Sequence, residues 1–105
     1  MSNEFCIMPI NTRYSTSRFA GSERHEVFFG GRNRSKSIED GLIVFLTSDD
    51  HRGTNGVHGK NGHEFDLYLK QIAQKKWMQF YNKTTEQFIK RYGRNYLWVS
   101  ILVKK

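Results

Sequence analysis

The segment DDHRGTNGVHGKNGHEFD, Asp49 to Asp66, holds three of the four histidines of this 105-residue chain, together with four acidic residues and four glycines. Neutral imidazole and carboxylate bind divalent first-row metals, whereas sites made of oxygen alone suit magnesium. His51 and His58 stand seven apart across Gly53 and Gly56, and glycines permit the sharp turns that would point both rings at one centre. Asp50 adjoins His51 and adds a carboxylate. The spacing fits a metal site, and it also fits a polar loop that merely contains histidines. His63 stands apart, because it sits beside Glu64 at the start of a helical pattern. A helix N-terminus disfavours a protonated imidazole, so His63 reads as a surface or capping residue.

A metal site needs elements to bring its ligands together. RHEVFF reads as a strand ended by Gly30-Gly31, RNRSKSIED as a basic loop, and GLIVFL as a buried strand. A tight hairpin between the two strands would set Glu23–Glu26 beside Leu46–Asp50 and carry His25 towards Asp50, His51 and His58. After the histidine segment, Phe65, Leu69, Ile72, Ala73, Trp77 and Phe80 recur at helical spacing, with Asn61 and Glu64 placed as a capping box. A shorter helix follows, with Thr84 and Gln87 as its capping box and Gly93 at its end. FCIMPI and NYLWVSILV read as outer strands. The fold class is therefore α+β: a β-hairpin packed on a helix, with an additional short helix and terminal strands, in one domain spanning residues 1–105.

Charge separates the two ends of the chain. Residues 1–66 carry eight Lys/Arg against nine Asp/Glu, whereas residues 67–105 carry nine against Glu86 alone. A basic region of this kind favours polyanions such as nucleic acid. Arg32, Arg34, Lys36, Lys70, Lys75, Lys76, Lys90, Arg91 and Arg94 are the residues expected to bind nucleic acid or a protein partner. The single cysteine, Cys6, excludes an intrachain disulfide and a cysteine zinc knuckle. The N-terminus MSNEFCIMPI lacks a basic region followed by an apolar stretch, and the longest apolar runs are too short for a bilayer. The expected location is the cytoplasm of a bacterial host.

RHEVFFGGRNRSKSIEDGLIVFL, DHRGTNGVH, the pattern D-L-x-L-K-x-x-A-Q and the closing YGRNYL together resemble a family of small HNH-type proteins carried by phages and prophages, over about residues 23–97. The resemblance implies a ββα-metal core with one divalent ion (Zn, Mg or Mn) held by His25, Asp50, His51 and His58. Paired cysteines common in that family are missing, with Thr47 and Asp50 in their places. HNH enzymes set a metal ligand directly before a histidine base, but here the stretch is Arg24-His25-Glu26-Val27. Either His25 is the ligand and Glu26 stands at the base position, or His25 is the base and Arg24 has replaced the ligand. One expected group is missing in both registers. The resemblance then implies a metal-binding protein without catalysis, acting on a host nuclease in the manner of an anti-CRISPR inhibitor of Cas9 that blocks DNA loading. The alternatives are an active metal-dependent endonuclease using His25 or Glu26, and a DNA-binding accessory protein of phage replication or packaging.

Overall fold

A computed structural model describes residues 4–97. Two short antiparallel strands, β1 (Glu23–Glu26) and β2 (Ile43–Leu46), pair in the register Glu23 with Leu46 through Glu26 with Ile43. All four residues of β2 are buried, as its unbroken aliphatic and aromatic run requires. The connection between the strands is not a tight hairpin. Residues 27–42 intervene, and the expected basic loop forms a helix, α1 (Asn33–Asp40). No apolar stripe marks it, because polar groups anchor it instead. The Ser37 hydroxyl donates to Phe28 O at 2.8 Å and accepts from Phe28 N at 2.9 Å.

The helix α2 (Ser48–Arg52) occupies a stretch expected to be loop. Thr47 caps it by accepting from Asp50 N. The long helix α3 (His63–Tyr81) buries Phe65, Leu69, Ala73 and Trp77, four of the six expected face residues, while Phe80 is exposed. The expected Asn61–Glu64 box does not form, and Gly62 stands at the N-cap without a side-chain bond. In α4 (Thr85–Tyr92) both halves of the Thr84–Gln87 capping box are present, and Gly93 closes the helix in the left-handed conformation at φ 92°. The segment expected as a first strand, FCIMPI, is not a strand, although Ile7 N bonds Gly41 O at 2.8 Å. Asn95–Leu97 lie outside any strand, and the rest of the expected final strand lies outside the described residues.

The described chain is a mixed α+β structure with one core shared by the strand pair, α3 and α4. Phe28, Phe88 and Leu69 are almost wholly buried there, and each such side chain contributes roughly 1.5–3 kcal/mol. One polar hub is built into the far end of this core. Asp40 accepts from Trp77 Nε1 at 2.8 Å, Tyr92 OH at 2.7 Å, Arg91 Nε at 2.6 Å and Arg91 Nη2 at 3.0 Å. It ties α1 to α3 and α4. Among the described residues no helix is long and apolar enough to cross a membrane.

Candidate metal centre

His25 lies on β1 opposite Val44 and is 1% exposed. His51 comes from α2, and His58 comes from the glycine-rich loop between α2 and α3. The three ring centroids are 5.2, 5.0 and 4.9 Å apart, and one ligand atom from each ring lies within 4.8 Å of the others. They are close enough to hold one metal ion.

The loop is built to deliver His58. Its main chain folds back on α2, with His58 N donating to His51 O at 3.1 Å and Val57 N to Asp50 O at 2.8 Å. Close approach of main chain makes glycine necessary in this loop. A Cβ at Gly59 would meet Gly53 O at 1.9 Å, and one at Gly62 would meet Gly56 O at 1.6 Å. The expected role of Asp50 as a fourth ligand does not appear. The cluster contains the three histidines alone, while Asp50 contributes its carbonyl to the loop and its N–H to the Thr47 cap. His63 is the first residue of α3, exposed and outside the cluster.

The electrostatics suit metal ligation. Burial, reinforced by His58 and His51, pushes the His25 imidazole down to a pKa of about 2. His58 is lowered too, first by burial and then by His51. Both rings are therefore neutral near pH 7 and keep a lone pair. Glu23 Oε1 lies 2.8 Å from His51 Nδ1 and is held by Arg52 on the same carboxylate. The hydrogen bond to His51, then that to Arg52, keeps the Glu23 carboxyl below its usual range. A carboxylate that accepts from Nδ1–H leaves Nε2 as the free lone pair, the usual outer support of a metal-binding histidine. Inside the cluster, His25 Nε2 is buried and has no hydrogen-bond partner.

Sequence reasoning missed Glu23 and Phe29. Glu23 is two residues from His25, so alternation along β1 puts both on one face, and that signal was available. Phe29 closes the other side, 4.7 Å from His58 and 5.7 Å from His25. Glu26, one possible base, is one residue from His25 and so faces the other way. It is buried between two guanidinium groups, with Arg24 Nε and Arg34 Nη1 each 2.8 Å away.

The expected partner-binding cations divide into two groups. Lys70 is buried, bonded to both Asp66 oxygens and seated 4.0 Å over Phe29. Arg34 is paired with Glu26, and Arg91 with Asp40 and Glu39. Arg32, Lys36, Lys75, Lys76, Lys90 and Arg94 have no carboxylate partner among the described residues, although Lys36 donates to Arg91 O and Arg94 lies over Tyr96. Comparison of the chain with protein families, curated proteins and solved structures finds no match.

Proposed function

We propose that this protein is a metal-dependent hydrolase of nucleic-acid phosphodiesters, with a three-histidine centre that takes a zinc-type ion. The observation that carries the reading is His25 Nε2, buried, unpartnered and packed against two other imidazoles. Leaving such a group unsatisfied costs about 1–3 kcal/mol, and a metal ion is the partner that would remove the cost. Three imidazole nitrogen donors favour zinc over magnesium. Three protein ligands is also the number typical of catalytic zinc sites, whereas structural ones close with four.

The ion, when bound, supplies Lewis-acid stabilisation of a phosphoryl oxygen and lowers the pKa of water. The chain's own residues do the rest. Glu23 fixes the His51 ring, Phe29 shields the pair His25 and His58, and the charges of Lys70 and Arg34 act on both of those histidines. The resemblance to HNH-type phage proteins supports the substrate class.

Metal analysis of the purified chain and plasmid nicking with Zn²⁺, Mn²⁺ or Mg²⁺ test this. About one zinc per chain is expected, with nicking abolished in His25→Ala and His58→Ala. Zinc-loaded protein that never nicks DNA sinks the hydrolase. One observation favours a second reading, a binding protein that inhibits a host nuclease of the Cas9 type. Glu26 is locked between Arg24 and Arg34, and Glu23, the other β1 carboxylate, is held by His51 and Arg52, so neither is free to act as a base. Under that reading the loaded protein would block target-DNA binding by the nuclease without cutting DNA itself.

A further inference from the structure

Two cavities lie along the α1–α4 side of the molecule. The larger, about 550 Å³, is lined by Lys36, Asp40, Trp77, Tyr81, Lys83, Gln87, Lys90 and Arg91. The second, about 270 Å³, shares Lys36, Lys90 and Arg91 with it and continues past Arg32 to Phe29. Phe29 is the ring that touches His58 and His25. The two cavities adjoin at Lys36, Lys90 and Arg91, where Lys36 Nζ donates to Arg91 O at 2.8 Å, and taken together they make a groove extending from Tyr81 to Phe29 at the edge of the histidine cluster.

The charge along this groove is one-sided. Five cations line it, Arg32, Lys36, Lys83, Lys90 and Arg91, against one carboxylate, Asp40. Asp40 is already saturated by Trp77, Tyr92 and Arg91. Among the described residues Arg32, Lys36, Lys83 and Lys90 have no carboxylate partner. A partly exposed aromatic ring stands at each end, Tyr81 and Phe29. Cations without a carboxylate partner, spaced along a groove with aromatic rings at its ends, match a flexible strand, whose phosphates meet the cations and whose bases meet the rings.

We infer that this groove is a track for one single strand of nucleic acid, which leads the strand to the histidine centre from the α4 side. The inference deepens the function proposed above and rests on it only for the destination. Lys83 and Lys90 are exposed and distant in sequence from every residue of the centre, so they are the positions to reverse.

The experiment measures fluorescence anisotropy of a labelled oligothymidylate with the full chain, with and without zinc, over a salt series. Wild type is expected to bind with a salt-dependent affinity. Lys83→Glu with Lys90→Glu should weaken binding at least tenfold and flatten the salt slope by about 0.7 for each phosphate that is no longer neutralised. Unchanged zinc binding in that variant would certify its fold, and Lys83→Gln with Lys90→Gln should give a smaller loss in the same direction. Unchanged affinity in the charge-reversed protein overturns the track, as does a wild type that does not bind the oligonucleotide. Tighter binding of a duplex of the same length overturns the assignment to a single strand. Loss of binding on charge reversal in a chain that takes up no zinc would leave the track standing and remove the metal centre instead.

Discussion

Two of the buried polar residues, Asp40 and His25, are treated in opposite ways. Asp40 receives four side-chain hydrogen bonds from Trp77, Tyr92 and Arg91. His25 Nε2 receives none. Burying a polar atom is expensive unless it is paired, so the closed hub explains itself as structure. The open one has no structural account, and it sits between two more histidines. The difference separates a group that fastens helices from a group prepared for a partner that comes from outside the chain.

The largest expected effect falls on the closed hub. Asp40→Ala leaves the Trp77 and Tyr92 donors without their acceptor and the Arg91 charge with Glu39 alone. Breaking a buried pair by removing one member typically costs 3–5 kcal/mol, and the partial exposure of Arg91 points to the low end, about 3 kcal/mol. Urea denaturation of the metal-free protein reads this directly. A loss below about 1 kcal/mol would mean that the hub is not what joins α1 to α3 and α4.

Metal addition addresses the open hub. Zinc at a hundred times its dissociation constant should stabilise the protein by about 2.7 kcal/mol, seen as a rise in Tm that EDTA reverses. Asp40→Ala should retain that increment, whereas His25→Ala should lose it. An equal rise in His25→Ala would place the zinc elsewhere.

Acid gives a smaller effect of definite sign. His25 has a folded pKa of about 2 and an ordinary value of 6.5. Between those values the unfolded chain binds the proton and the folded chain does not, so metal-free stability falls as pH falls below about 6.5. From pH 7.5 to 5.5 the expected loss through this group is about 1.4 kcal/mol, and His58, lowered in the same direction, adds to it. Urea midpoints at the two pH values test this, and a metal-free protein equally stable at both would contradict a neutral buried His25.

The two hubs also differ in how far the sequence revealed them. The convergence of His25, His51 and His58 was legible, because the apolar run of β2 and the helical spacing of α3 bracket the histidine segment. Even so, the geometry reached the cluster by a different route. The strands are joined through α1 rather than a tight turn, and α2 rather than a bare loop carries His51. Both helices lack the apolar periodicity that marks α3, since Ser37 and Asp40 hold one and the Thr47 cap begins the other. The Asp40 hub was not legible at all. Its donors lie 37 to 52 residues away along the chain, and no local pattern announces such a pairing. The failure of Asp50 as a ligand has a similar cause, because adjacency to His51 on a helix does not put two side chains on one face.

The smallest effect is the sharpest test of the contrast, because its sign should invert between the hubs. Leucine in place of His25 is close in volume, removes the unpaired nitrogen and keeps the position apolar. Replacing an unsatisfied buried group by an apolar one of similar shape recovers its desolvation cost. The metal-free His25→Leu protein is therefore expected to be more stable than wild type by about 1 kcal/mol at pH 7.5. It should also lose most of the acid sensitivity and all of the response to zinc. Asp40→Leu must do the reverse, since it leaves the Trp77 and Tyr92 donors with no acceptor and Arg91 with Glu39 alone. If His25→Leu instead destabilises the metal-free protein, His25 is already satisfied without a metal, and the distinction between a closed and an open hub fails.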